Sequence, residues 1–332
     1  MKKDQNKKPR STNTRLVRAK LIFNAESGKP EEAPKLLAEI LNEMQSRYIL
    51  PEVYMVHPDS HVKDVVRSAI KEGIKLIVVA GGDGTIDSVV GALVHSSATL
   101  GIIPTGTRNN VAFNLGIPGT VADAVALLRK GRRLKIDVGY IRSSRTGHWF
   151  LEAAELGLLS DLYSAADEFQ HGDLAQIGIL LSKFVSSNPS RLRVIFEKRN
   201  QLHTDAYMVL ITNMPSLGPH FKISPDVACN DSHLDMFIFS DMTKLDLISY
   251  AMQSTTVAAK DAHIKHYRVK RVTIHSKPQM PVLADGRLLD PGPVTALVYP
   301  RALAVIVGAT DAAMRRRPAA STMVDQKKVI HE

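Results

Sequence analysis

A second cysteine is missing from this chain of 332 residues. Cys229 stands alone, so no internal disulfide framework holds the fold, and a reducing, cytoplasmic setting is expected. Aromatic residues make up only 5% and form no stacking motif in the basic ends, which leaves base readout of nucleic acid unsupported. No run approaches the roughly 18 apolar residues of a membrane span. The first twenty residues almost lack acids: Asp4 stands against Lys2, Lys3, Lys7, Lys8, Arg10, Arg15, Arg18 and Lys20. They are also nearly devoid of apolar residues before Leu16, which fits a solvated basic arm over 1–17 and not a secretory leader.

What is present is ordinary for a folded protein. Apolar residues reach 44%, and the length suffices for two cores. The net charge of +10 favours an anionic partner, and the basic ends could touch an anionic membrane surface peripherally.

The chain is organised around Val78-Val79-Ala80-Gly81-Gly82-Asp83-Gly84-Thr85-Ile86. The apolar run 75–80 is a buried strand, and Ile86, Val89, Val90 and Leu93 repeat at helical spacing. The glycines between them let backbone N–H groups approach a ligand closely, and the helix start behind them favours an anion. A phosphate group is the natural ligand. Asp83 would repel it, so a divalent cation or a water is expected between them. The plain alternative is a strand-to-helix turn, which uses the same residues.

Around this stretch, strands and helices alternate. Strands are expected at 18–24, 53–56 and 100–104, with helices at 31–47, 62–70 and 121–129. Leu100 to Pro104 runs into a second polar loop, Thr105-Gly106-Thr107-Arg108-Asn109-Asn110. Such alternation implies a mainly parallel sheet, and ligands of such sheets bind beyond the carboxyl ends of the strands. From Leu134 the pattern changes to period two. Short strands are expected at 134–141, 149–154, 191–198, 206–213, 234–239, 271–276, 280–284, 294–299 and 302–307, with one helix at 174–185. That describes an antiparallel sandwich or barrel. The expected division is an α/β domain over 18–135, a β-rich domain over 136–308 and a polar tail over 309–332.

In this order the chain resembles the diacylglycerol kinase catalytic-domain family, which includes bacterial lipid kinases and sphingosine kinases. The resemblance runs from about Leu21 to Gly308. Its signposts are Asn24 with Ser27-Gly28-Lys29, Gly81-Gly82-Asp83-Gly84-Thr85 and Pro104-Thr105-Gly106-Thr107-Arg108-Asn109. They continue with Ile223-Ser224-Pro225-Asp226, Asp231, Leu234-Asp235, Asp285-Gly286 and Tyr299-Pro300-Arg301-Ala302-Leu303. The resemblance implies a Rossmann-like parallel α/β nucleotide-binding domain followed by an antiparallel β-rich sandwich domain. It implies transfer of the γ-phosphate of ATP to a lipid hydroxyl, diacylglycerol-like or sphingoid, with Mg2+. By motif position, Asn24, Gly81, Gly82, Asp83, Gly84, Thr85, Asp87, Thr107 and Asn109 would contact the nucleotide. Asp83 and Asp231 would hold metal, and Asp285 would be the general base. On its residues alone, Asp285-Gly286 also reads as a hairpin turn.

Four positions depart from the family pattern. Asp87 stands where Asn is usual, Asn110 where Asp is usual, Arg287 where Glu is usual, and Ser232 follows Asp231 in place of Gly. The first two suggest a charge exchange between neighbouring loops. Arg287 beside the base would weaken it and could hold an anionic group. The alternatives are a different hydroxyl acceptor, or nucleotide binding with lost catalysis. More remote is an NAD kinase, which shares Gly-Gly-Asp-Gly-Thr.

Overall fold

The structure is a computed structural model that describes residues 15–157, 188–197, 200–217, 222–240 and 263–309. The helix expected over 174–185 lies outside the described residues, as do most of the basic arm and nearly all of the tail.

The first half is strand, helix, strand in repetition. β1 (Val17–Phe23) leads through a loop to α1 (Ala33–Ser46) and β2 (Ile49–Met55). Then come α2 (Val62–Lys71), β3 (Leu76–Gly81), α3 (Asp83–Leu93) and β4 (Thr99–Pro104). The short α4 (Asn110–Asn114) and α5 (Val121–Lys130) follow, and Thr120 caps α5 by accepting the Asp123 N–H. The four strands are parallel in the order β2-β1-β3-β4. β3 is buried at every residue, as a strand covered on both faces must be. β2 begins at Ile49, earlier than expected, and contains Pro51. It pairs with β1 alone, and an edge strand can spare the ladder N–H that proline lacks.

The second half is antiparallel. β5 (Arg132–Ser143), β6 (Thr146–Phe150) and β7 (Ala153–Gly157) come first. β8 (Ser190–Phe196), β9 (Gln201–Ala206), β10 (Met208–Thr212) and β11 (Leu234–Phe239) follow. The last are β12 (Ile264–Val269), β13 (Arg271–Lys277), β14 (Val282–Ala284), β15 (Arg287–Leu289) and β16 (Val294–Val307). One sheet runs β12-β11-β10-β7-β14-β15. The other continues the parallel sheet as β4-β16-β13-β8-β9, with β5 and β6 paired alongside β16. Ile141, Val194, Val272 and Ala296 from one sheet meet Val209, Ile211, Met236 and Ile238 from the other in a sandwich core.

β16 joins the two halves. Expected as two strands, it is one, parallel to β4 at Ala304 and Val305 and antiparallel to β13 from Val294 to Leu297. The break expected at Pro300 is a bulge between Tyr299 and Leu303, where Arg301 has φ +51°. The bulge frees the Arg301 N–H, which donates to Asp137 Oδ1 at 2.7 Å. The other oxygen of this fully buried carboxylate accepts the Ser232 N–H at 2.6 Å. Burial raises the pKa of Asp137, and the two N–H donors only partly oppose it. Asp137 thus fastens the bulge of the last strand to the loop before β11. Asp137→Ala leaves both donors stranded and is expected to cost about 2–4 kcal/mol in urea denaturation. A loss below about 0.5 kcal/mol, the range of a neutral surface change, would remove the clamp from the account.

Candidate active site

The parallel strand order reverses between β1 and β3, and a crevice opens at such a point beyond the carboxyl ends. Three loops meet there. Asn24, just past β1, donates from Nδ2 to Thr85 Oγ1 at 3.0 Å and accepts the Glu26 N–H at 3.0 Å. Gly28 has φ +84°, and a Cβ there would sit 2.5 Å from the Thr105 carbonyl oxygen. The loops after β3 and β4 touch backbone to backbone, because a Cβ on Gly106 would lie 2.5 Å from Gly82 Cα. Glycine is required at that contact by space alone.

Asp83 locks the two loops together. Its Oδ2 accepts the Asn110 N–H at 3.0 Å and its Oδ1 the Val111 N–H at 3.1 Å. It thereby supplies the acceptors that the first turn of α4 lacks from within the helix. Asn109, at φ +50°, closes its own loop: Nδ2 donates to the Gly106 carbonyl at 2.6 Å and Oδ1 accepts the Gly106 N–H at 3.0 Å.

The fourth wall comes from the antiparallel half. Asp285 and Gly286 both have positive φ and form the two-residue hairpin between β14 and β15. The hairpin reading of this pair therefore holds, and the turn also aims the carboxylate into the gap between β6 and β7. There Oδ2 accepts the Leu151 N–H at 2.6 Å, and Oδ1 accepts those of Glu152 and Ala153 at 3.1 and 3.0 Å. Burial raises the pKa to about 7; the three N–H groups pull it down, and nearby Asp87 pushes it up.

These loops enclose one cleft of about 450 Å³. Asn24, Gly82, Asp83, Gly84, Thr85, Asp87, Thr107 and Asp285 all line it. Gly81 and Asn109 do not: Gly81 lies under the Thr85 side chain, and Asn109 is spent on its own loop. The two residues expected to hold metal lie apart. Each Asp83 oxygen accepts one N–H from the start of α4 and keeps a second acceptor position. Asp231 lies outside the cleft, with Oδ2 paired to Arg268 at 2.6 Å and Oδ1 accepting the His233 N–H at 3.1 Å. Asp83 therefore lines the cleft with acceptor capacity left for a cation, and Asp231 stands apart from it. Arg287, at the start of β15 opposite Ala284, is exposed and not part of the lining.

The exchange expected between Asp87 and Asn110 is also different. Asp87 pairs with His148 Nε2 at 2.7 Å. Asn110 donates to Glu152 Oε2 at 3.3 Å, so the carboxylate next to it is Glu152. Sequence reasoning passed over Glu152 and Glu155, although two acids in the run Leu151-Glu152-Ala153-Ala154-Glu155 were a visible signal. Both are buried and both line the cleft. Glu152 Oε1 and Glu155 Oε2 have no hydrogen-bond partner among the described residues. Burial, then the charge of Asp285, raises both; Glu155 reaches about 8.

Comparison with known proteins bears on the family and the fold. Residues 18–141 match the family described as diacylglycerol kinase catalytic domain. Residues 162–307 match the one described as YegS C-terminal NAD kinase beta sandwich-like domain. The chain is a member of the diacylglycerol kinase catalytic-domain family. A diacylglycerol kinase of Bacillus subtilis is 28% identical over 279 residues, 82% of this chain and 90% of its own length. One from Mycobacterium tuberculosis is 26% identical over 263 residues, covering 76% and 84%. A crystal structure of a diacylglycerol kinase from Bacillus anthracis superposes with a TM-score of 0.71 at 20% identity, over 89% of this chain and 98% of that one, and so shares the fold.

The raised pKa of Glu155 has a measurable consequence. Its carboxyl binds protons more tightly in the fold than in the unfolded chain, so stability declines as pH rises from its ordinary 4.5 through about 8. Glu155→Gln removes that slope. The variant is expected to be about 1–3 kcal/mol more stable than wild type above that range, and to show no such advantage at the acid end. Parallel pH–stability curves would overturn the assignment.

Proposed function

We propose that this kinase-family chain transfers the γ-phosphate of ATP to the hydroxyl of a lipid, diacylglycerol-like or sphingoid, with Asp285 as general base. The observation that carries the reading is the convergence of the two glycine loops and Asp285, remote in sequence, on one cleft.

The division of labour follows from the walls. Gly82, Gly84 and Gly106 leave backbone open to a triphosphate, and the start of α3 favours its charge. Asp83 acts by holding the Thr107–Asn110 loop in register with Gly82, which makes it a positioning residue. The nucleotide half is assigned to 18–135 and the acceptor half to 136–308. The acceptor hydroxyl gives its proton to Asp285 as its oxygen attacks the γ-phosphorus in line, and ADP leaves. A carboxylate offers about four acceptor positions, and three here are taken by N–H groups. The remaining position is the one for the hydroxyl proton. The acids in the lining (Glu26, Asp83, Asp87, Glu152, Glu155 and Asp285) far outweigh Arg108. Magnesium arriving with ATP would supply the neutralising charge. Among the described residues no helix is long and apolar enough to cross a membrane.

The test is transfer of labelled phosphate from ATP to a panel of dispersed lipids. Asp285→Asn is expected to lower the rate about 10²–10⁴-fold, with little change in the KM for ATP. For the wild type the rate should fall as pH drops through about 7, because protonated Asp285 cannot accept the hydroxyl proton. Equal rates for the two proteins would take Asp285 out of the mechanism.

A further inference from the structure

Proton transfer to Asp285 leaves a second buried acid of the same wall unused. Ala154 and Leu156 of β7 point into the sandwich core, so Ala153 and Glu155 point the other way, into the cleft. Glu155 is only 6% exposed. Its partners across the sheet are Leu210 on β10 and Leu283 on β14, both buried and both apolar. Its Oε2 is shut off from solvent and has no hydrogen-bond partner. A leucine would fill the same space without stranding a polar atom, so packing gives no reason for a carboxyl here.

Asp285 fixes where this carboxyl stands. The Asp285 N–H donates to the Ala153 carbonyl at 3.0 Å, and Asp285 Oδ1 accepts the Ala153 N–H at 3.0 Å. Glu155 follows on the same face, roughly 7 Å further along the strand. The lining beside the two acids includes Ala153 and Gly286, which carry almost no side chain and leave room for a ligand. Asp285 bears electrostatically on both Glu152 and Glu155, whereas Asp83 bears on Glu152 and not on Glu155. Glu155 therefore stands on the side of Asp285 turned away from the nucleotide loops, where the acceptor must lie.

We propose that Glu155 binds a second hydroxyl of the acceptor, next to the one that Asp285 deprotonates, and so selects acceptors with two neighbouring free hydroxyls over those with one. This rests on the phosphoryl-transfer reading above. Two carboxyls set this far apart, each reaching about 2.7 Å to a hydroxyl oxygen, can hold neighbouring hydroxyls of one molecule. The amine of an amino alcohol would answer the same position by charge. Burial holds Glu155 at about 8, however, so at neutral pH most of it is a neutral carboxyl. A neutral carboxyl donates to a hydroxyl and accepts from it, whereas an amine cation would require it to ionise beside Asp285. Glu152 does not compete for this role, because its Oε2 takes the Asn110 amide at 3.3 Å on the nucleotide side.

The experiment compares three dispersed lipids of one chain length. They are the hexadecyl ether of glycerol, its counterpart lacking the middle hydroxyl, and the counterpart with an amine in that place. Transfer of labelled phosphate from ATP gives kcat/KM for each. Wild type should favour the diol over the single alcohol by roughly 10–100-fold, as a site built to hydrogen-bond a hydroxyl does. Glu155→Leu should bring that ratio to about one. Glu155→Gln, whose amide also donates and accepts, should keep it to within about three-fold. Equilibrium binding of the same lipids to wild type without nucleotide should follow the same order. Binding in that order with no transfer to any of the three would count against the kinase reading and for the hydroxyl contact. Transfer with no preference between diol and single alcohol would overturn the proposal and leave the kinase reading standing. So would a preference untouched in Glu155→Leu, which would mean that Glu155 holds only a buried water, or a preference for the amine.

Discussion

The site depends on one carboxylate held by three amide N–H groups. Asp285 sits on a hairpin in one sheet, and its donors belong to the gap where β6 of the other sheet ends and β7 begins. Had 149–154 run as one strand, those donors would be spent on ladder bonds and the carboxylate would be buried without partners, at a cost of several kcal/mol. The gap satisfies the charge only in part, since burial still outweighs the three donors. That residue of imbalance is what gives a carboxylate the proton affinity of a base at neutral pH.

The same economy governs the opposite wall. Asp83 would be a poor neighbour for a triphosphate if its oxygens faced the cleft unpaired. They are turned onto the first turn of α4, so the charge serves to fix one loop against the other. With Gly82 and Gly106 in backbone contact, the two loops behave as one rigid rim. β16 then sets that rim against Asp285, because it runs from the parallel strands to the antiparallel ones without a linker, and Asp137 secures its bulge. Alignment in phosphoryl transfer demands this kind of fixed separation between walls.

Much of this was legible in sequence, and the failures have physical causes. The glycine loops were readable because close backbone approach leaves few residue choices. The parallel half was readable because its strands are continuous apolar runs. β9 and β12 were missed because Gln201 to Ala206 and Ile264 to Val269 are half polar, and β12 and β9 are sheet edges where periodicity is weak. The gap at Leu151-Glu152 was missed because those residues continue an apolar run, and only tertiary demand from Asp285 breaks it. Asp83 and Asp231 were named for metal from motif position alone, which did not foresee the backbone N–H groups on Asp83 or the Arg268 partner of Asp231. Whether a carboxylate faces a metal or a backbone amide is decided by neighbours that spacing does not name.

The substitutions that set this chain apart become intelligible as one charge pattern. Asn110 is neutral where the family usually has Asp, and its amide donates to Glu152, so the acid of the pair is a carboxyl whose pKa burial raises. Asp87 is tied to His148, which keeps that new acid from adding an unpaired charge of its own. Glu152 and Glu155 each retain an oxygen without a partner, and both are raised by Asp285. Neighbouring carboxyls of this kind do not ionise independently; a proton lost from one makes the next harder to remove. This wall of the cleft therefore carries fewer charges at neutral pH than its count of acids implies. A protonated carboxyl can both donate to and accept from a hydroxyl, whereas an ionised one can only accept.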